Sequence, residues 1–202
     1  KPDGYTLGLV TVGPLTSQPH LRSTVKYNAD SFEYICRTHV TPQVFAVATD
    51  SPYKSLKELV NDAKKHPGKI TMASQGVGSI PHLASNKFAE IAGFEWTHVP
   101  TKGDGEAVVL AASGNITGWV AGIQSYIPMS SRLRTLGLLE AERSPLYPDI
   151  PTFKEQGYNV VSTGWGGLVA PKGTPINVIE KLSDSCRTAT HSPQFQKFMD
   201  SL

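Results

Sequence analysis

The stretch Lys69-Ile70-Thr71-Met72-Ala73-Ser74-Gln75-Gly76-Val77-Gly78-Ser79 holds the fold in miniature. A short apolar run is followed by a loop with two glycines and then by a serine. Such a run between turn signals reads as a buried strand, here Lys69 to Ala73. After Ser79, residues Ala84, Phe88, Ile91 and Ala92 share one face of a helix that Gly93 stops. Before the stretch, Ser55 and Glu58 form an S-x-x-E capping box. Leu56, Leu59, Val60 and Ala63 then recur at i, i+3, i+4 and i+7, and His66-Pro67-Gly68 closes that helix.

The same alternation extends in both directions. Tyr5 to Val10 and Phe45 to Thr49 read as strands on the N-terminal side. Thr97 to Val99 is a strand leading into a helix from about Asp104 to Ser113, and Arg134 to Leu139 is another strand. Pro151 to Gln156 reads as a short helix ended by Gly157, and Gly164 to Ala170 as a strand with unusual backbone freedom. Thr174 as N-cap and Pro175 as first helical residue open a helix through Leu182. Ser192-Pro193 opens the last helix, with Phe195, Phe198, Met199 and Leu202 at helical spacing. Strands alternating with helices define an α/β fold around a largely parallel sheet.

Composition narrows the function. Apolar residues at 39% and charged residues at 18% describe a folded globular protein. A formal charge of +2, with no basic cluster on one expected face, argues against nucleic acid and leaves a small anion compatible. Cys36 and Cys186 are too few and too far apart for a zinc site; they read as two buried thiols, with pairing the alternative in an oxidising compartment. The six histidines lack metal-binding spacing, so neither metal nor cofactor is expected. The chain opens at Lys1-Pro2-Asp3-Gly4 without a methionine, which reads as a cut start.

The loop Ser74 to Ser79 is the leading candidate site. Gly76 and Gly78 let backbone approach a ligand, Ser74, Gln75 and Ser79 bring neutral donors, and the next helix's N-terminal amides favour an anion. The competing reading makes Ser79 a plain N-cap and the glycines a tight turn. Gly76-x-Gly78 lacks the third glycine of a dinucleotide loop, and Gly78-Ser79-Ile80-Pro81 is not a Gly-x-Ser-x-Gly nucleophile elbow. His82 therefore reads as a structural or rim residue. Lys102, in Thr101-Lys102-Gly103-Asp104-Gly105, could offer charge to an anion or simply be solvated. Trp165 lines a cleft or belongs to the core.

With these segments in place, the chain resembles the substrate-binding proteins of tripartite tricarboxylate transporters, the Bug-type receptors. The resemblance rests on Pro2-Asp3-Gly4-Tyr5-Thr6-Leu7, on Lys54 to Leu59 with Ala63-Lys64 and Pro67-Gly68-Lys69, and on Ala73 to Ser79 with His82-Leu83-Ala84. It continues through His98-Val99-Pro100, Lys102-Gly103, Arg143-Ser144-Pro145, Pro148 to Phe153, Glu155-Gln156-Gly157, Trp165-x-Gly167 and Ala170-Pro171-x-Gly173-Thr174-Pro175. Such a resemblance implies a two-lobed, periplasmic-binding-protein-like (type II) fold with hinge strands. One lobe would combine residues 1–46 with 164–202, and the other would be 47–163. The protein would be a periplasmic receptor rather than an enzyme, taking a small carboxylate and delivering it to the transporter's membrane components. By the same resemblance, Ser74, Gln75, Gly76, Val77, Gly78 and Ser79 form the second lobe's carboxylate grip, with Lys102 and Gly103 beside them. Thr11 to Gly13, a loop after the first strand, contributes from the first lobe; Trp165 joins the expected set on its own ground, because its glycine neighbours cannot cover it.

Three departures from the family pattern accompany it. A strand and ligand loop that usually precede Pro-Asp-Gly are missing, so the first lobe is expected to be incomplete. The usual tyrosine before Lys-Gly is Thr101, and a Gly-Gly-Gln-Val-Asp stretch reads Ser113-Gly114-Asn115-Ile116-Thr117. A rival reading is the ligand-sensing domain of a regulator or two-component system, since similar folds serve as sensors.

Overall fold

The computed structural model describes residues 1–200 and divides into two compact units. Unit 1 is Lys1–Val40 with Trp165–Leu202, and unit 2 is Thr41–Gly164. Leu202, expected on the last helix, lies outside the described residues.

Unit 2 contains the clearest α/β pattern. Its strands are the second half of β2 (Phe32–Ala48), β3 (Ile70–Ser74), β4 (Trp96–Pro100), β5 (Gly118–Gly122) and β6 (Leu133–Leu138). They lie in the order β6-β2-β5-β3-β4. β3 runs parallel to β4 and β5, whereas β2 is antiparallel to β5 and β6. The sheet is thus mixed rather than largely parallel.

Side chains alternate across this sheet as period-two geometry requires. Phe45, Val47, Ile70, Met72 and Val120 face one core, which α3 (Leu56–Lys65) and α4 (Ile80–Ala92) cover. Ala46, Ala73, Trp119 and Ala121 face the other, which α5 (Asp104–Ala112) covers. In the first core, Phe88 meets Phe153 and Tyr158 edge-on at 4.9 and 5.2 Å, the geometry aromatic quadrupoles favour. Of the face expected on α4, Ala84, Phe88 and Ala92 are buried, but Ile91 is exposed and Ala89 takes the inward position.

Local signals set several boundaries. Ser55 Oγ accepts the Glu58 amide at 3.2 Å, while the Glu58 carboxylate reaches past the cap to the Lys54 amide at 2.6 Å. α4 ends at Gly93 with φ +68, a left-handed position glycine adopts without a Cβ penalty. The helix expected at 151–156 is instead a series of turns. Leu138 donates to the Pro151 carbonyl at 2.9 Å and Phe153 donates to the Leu138 carbonyl at 2.8 Å. These bonds hold the segment to the edge of β6 and leave room for one turn only. The short helix α6 (Ile123–Tyr126) follows β5.

Unit 1 is smaller. β1 (Gly8–Thr11) pairs antiparallel with β7 (Thr163–Pro171), which lies next to the first half of β2. α1 (Val12–Thr16) and α2 (Gln18–Leu21) follow β1 directly, so Thr11 to Gly13 is a strand end running into a helix and not a loop. α7 spans Ile176–Thr190 and α8 spans Pro193–Asp200. Pro175 itself is the N-cap of α7, because the Thr174 hydroxyl turns back to the Pro171 carbonyl at 2.8 Å. Cys36 on β2 and Cys186 on α7 form a disulfide, which replaces the two-thiol expectation. Tertiary contact across 150 residues of sequence, invisible in spacing, brings them together.

The glycines of β7 are there for space rather than for freedom, as none of Gly164, Gly166 or Gly167 has positive φ. A Cβ on Gly166 would overlap the His39 ring, and one on Gly167 would overlap the Cys36 carbonyl.

Candidate functional site

Loops at the carboxyl ends of β3, β4 and β5 build the candidate site. In open α/β sheets, ligands bind outside these ends, where successive connections leave in opposite directions. From β3 the chain passes to β4 on one side, then returns across β3 to β5 on the other. Ser74 and Pro100 are register partners, so loops 74–79 and 101–103 emerge together. Thr101 ties them, donating from its amide (2.9 Å) and its hydroxyl (3.0 Å) to the Ser74 carbonyl.

Within the first loop, backbone shape and donor supply are both set by side chains. Gly76 and Gly78 have φ +106 and +77, a region that disfavours any Cβ. The buried Ser74 hydroxyl donates to the Gly76 carbonyl at 3.1 Å and lies 2.7 Å from His98 Nε2. The Gly78 amide donates to His82 Nδ1 at 3.2 Å. The Ser79 amide donates to the Gly76 carbonyl at 3.2 Å. Ser79 caps α4, its hydroxyl accepting the His82 amide and its carbonyl the Leu83 amide.

The amides free to meet a ligand differ from those expected at the helix start. Gly78, Ser79, His82 and Leu83 amides are engaged by the protein's own atoms, and Pro81 has none to give. The hydrogen bonds among the described residues leave the amides of Gln75, Gly76, Val77 and Ile80 unengaged. Gln75 and Val77 are exposed. Three of the four unengaged amides therefore lie before the helix, and only Ile80 stands in its first turn.

In the second loop, the Lys102 side chain is exposed and its amide donates to Glu106 at 2.9 Å. Gly103 has extended backbone and open space at its Cβ position. Asp104 accepts the Ser125 hydroxyl at 3.0 Å through Oδ2, while its Oδ1 is buried without a partner. Sequence reasoning passed over Asp104 and Ser125, which lie 21 residues apart and meet only because β5 lies beside β3.

Two histidines under the first loop were also passed over as a pair. Their ring centroids are 4.2 Å apart, and Trp96 packs at 5.5 Å from His98 and 5.9 Å from His82. Burial lowers the pKa of each ring below the usual histidine value, and for His98 the neighbouring His82 adds repulsion.

The remaining expected residues sit in unit 1. Thr11 is exposed and is the register partner of Gly166, next to half-buried Trp165. The Gly13 carbonyl accepts the Ser17 amide and hydroxyl, both at 3.0 Å. Trp165 lines a cavity of about 280 Å³ with Val10, Tyr34, Arg37 and Leu168. Among the described residues, no group of three or more His, Cys, Asp or Glu is arranged to hold a metal ion. No described helix is long and apolar enough to cross a membrane.

Mixed α/β sheets with amide-bearing loops at their strand ends are a common setting for small-solute sites. Over residues 1–202 the chain matches the family model described as "Tripartite tricarboxylate transporter family receptor", and it belongs to that family. It is 34% identical over 201 residues to the UPF0065 protein in the gbd 5′ region of Cupriavidus necator, covering 97% of this chain and 60% of that protein. It is 29% identical over 195 residues to protein BugT of Bordetella pertussis, covering 94% of this chain and 60% of the relative. The chain thus spans about 60% of the length of these curated relatives.

Solved structures agree. A periplasmic transporter protein superposes with TM-score 0.86 at 33% identity, covering 98% of this chain and 67% of that one. Periplasmic binding protein BugD gives 0.84 at 30%, covering 98% and 68%. An R. palustris protein solved with adipate gives 0.86 at 25%, covering 96% and 67%. The matched family is described as one of receptors.

Proposed function

We propose that this chain is an extracytoplasmic solute-binding protein that captures a small carboxylate for the membrane components of a tripartite tricarboxylate-type secondary transporter. The observation that carries the reading is the group of unengaged amides at Gln75, Gly76 and Val77, on a loop at the sheet's carboxyl edge. Backbone donors fixed by glycine geometry can hold a carboxylate through charge-assisted bonds without an arginine. Lys102 and Gly103 stand on the adjoining loop and add a positive charge and a clear approach. Thr11, Gly13 and Trp165 are the proposed contribution of the other lobe.

Family membership and a relative solved with adipate support the substrate class. The disulfide supports a periplasmic location, since such bonds persist in oxidising compartments. The lobes, residues 1–46 with 164–202 and residues 47–163, are part of the same proposal, and the two compact units support them.

The test is a thermal-shift panel of di- and tricarboxylates, adipate included, on the intact protein. A ligand at 100 times its Kd adds about 2.7 kcal/mol. For a chain of this size that raises Tm by roughly 5 °C or more. A panel in which no acid moves Tm would remove the reading's support.

A further inference from the structure

We propose that His82 and His98 are positioning residues for the 74–79 loop, and that proton uptake by this pair loosens the loop's hold on an anionic ligand. The ligand half of this proposal rests on the carboxylate reading; the loop half does not.

Hydrogen-bond direction assigns the tautomers. A backbone amide can only donate, so His82 Nδ1 must be an unprotonated acceptor for Gly78, and the ring's proton sits on Nε2. That Nε2 faces the Asn86 side-chain amide at 3.4 Å, which can turn its oxygen toward the proton. Ser74 has one hydroxyl proton, which goes to the Gly76 carbonyl, an atom that can only accept. His98 Nε2, at 2.7 Å, must then donate to Ser74 Oγ. His82 is therefore neutral with its proton on Nε2; His98 carries a proton on Nε2 as well, and burial together with the neighbouring His82 ring disfavours a second one. Each pins one end of the loop, His98 through Ser74 and Gly76, His82 through Gly78. Between those pins lie the unengaged amides of Gln75, Gly76 and Val77.

Protonation has a defined consequence. A second proton on His82 must go to Nδ1, where it would point at the Gly78 N–H. Two donors then face each other, and the bond that fixes the Gly78 amide to the His82 ring is lost. The groups around the pair resist this change. His98 faces His82 from β4, and a charge on either ring disfavours a charge on the other at 4.2 Å. Trp96 from β4 and Asn86 from α4 are uncharged. The ion pairs among the described residues leave both rings without a carboxylate. Burial lowers both pKa values, in accord with a pair that is neutral near pH 7.

The first experiment needs no ligand. Ring nitrogen shifts in the intact protein should report the Nε2–H tautomer for both histidines. The Gly78 amide resonance should titrate with the His82 midpoint, below pH ~6.5. A protonated Nδ1 on neutral His82, or a Gly78 amide indifferent to that titration, overturns the proposal.

The second experiment measures adipate affinity against pH for the wild type, His82→Asn and His82→Ala. Asparagine places an acceptor where Nδ1 stood and cannot titrate, and the ligand's own titration is common to all three proteins. Wild-type affinity should fall below the His82 midpoint by up to about tenfold per pH unit more than His82→Asn does. His82→Asn should keep neutral-pH affinity, and His82→Ala should lose most of it. Affinity that rises on acidification, or His82→Ala binding like wild type, overturns the proposal. If no carboxylate binds, the function reading fails while the tautomer measurement still decides the role of the histidines in the loop.

Discussion

Replacing Cys36 and Cys186 together by alanine opens a loop that spans 150 residues of sequence. In the chain-entropy account, losing a closure of that length from the denatured state costs about 5 kcal/mol at 25 °C. That figure applies if the whole chain unfolds at once. Both cysteines belong to unit 1, however, and unit 2 (Thr41–Gly164) fills the middle of the loop. If unit 2 remains folded while unit 1 unravels, only roughly 25 flexible residues close the loop, and the cost falls to about 3.5 kcal/mol. The core of unit 1 is small, with Ile35, Ala170 and Cys186 buried and Leu168, Ile179 and Leu182 packed beside them. Unit 2 holds the large aromatic core around Phe45, Phe88 and Phe153. We therefore expect the lower figure, read by urea unfolding with hydrogen exchange resolved by segment. Amides of β1, β7 and α7 should exchange faster in the variant, while those of β3 and β5 stay protected. Two free thiols in the native protein, a loss under about 1 kcal/mol, or equal acceleration in β3 and β5 would refute the reasoning.

Gly118→Val places a side chain against the Phe45 ring, which lies where a Cβ would stand. Overpacking of this kind should lower stability by about 1–3 kcal/mol in urea unfolding, and Gly114→Ala serves as a comparison for backbone strain alone, since its Cβ meets nothing. Stability should also depend on pH through His82 and His98. Their folded pKa values are depressed, so the unfolded chain takes up protons first as pH falls through about 6.5. Their contribution is complete above that value and is lost as pH drops toward the folded pKa values. Urea midpoints from pH 8 to 5 should show a decline that is smaller in His82→Asn; a flat profile would contradict it.

Elements whose signals lie within one or two turns of chain were legible in the residues. The Ser55–Glu58 cap, the α3 stripe, the β3–loop–α4 sequence and the Gly93 stop all use partners within a few positions, and all appear in the structure. β2 was read only at Phe45 to Thr49, because Arg37, Thr38, His39 and Pro42 interrupt its apolar pattern. Apart from buried Ile35, its first half has only intermediate and exposed positions, so no hydrophobic alternation marks it. β5 was missed for a related reason. Its Gly-Trp-Val-Ala-Gly run is short, and its first glycine makes sense only with the Phe45 ring across the sheet. At 151–156 a helical-looking stretch lost its helix to bonds with the β6 edge.

The candidate site divides along the same line. Glycine placement and the capping serine announced a loop at a helix start, since φ preference and capping are local properties of the chain. Which amides in that loop stay available depends on partners brought in from elsewhere. His98 reaches Ser74 from the neighbouring strand, and Thr101 clamps the Ser74 carbonyl from the next loop. Hydrogen bonds are exclusive: a donor engaged by a distant side chain is withdrawn from any ligand. No periodicity along the chain records that competition, so the availability of each amide, like the pairing of Cys36 with Cys186, was set when the strands came together.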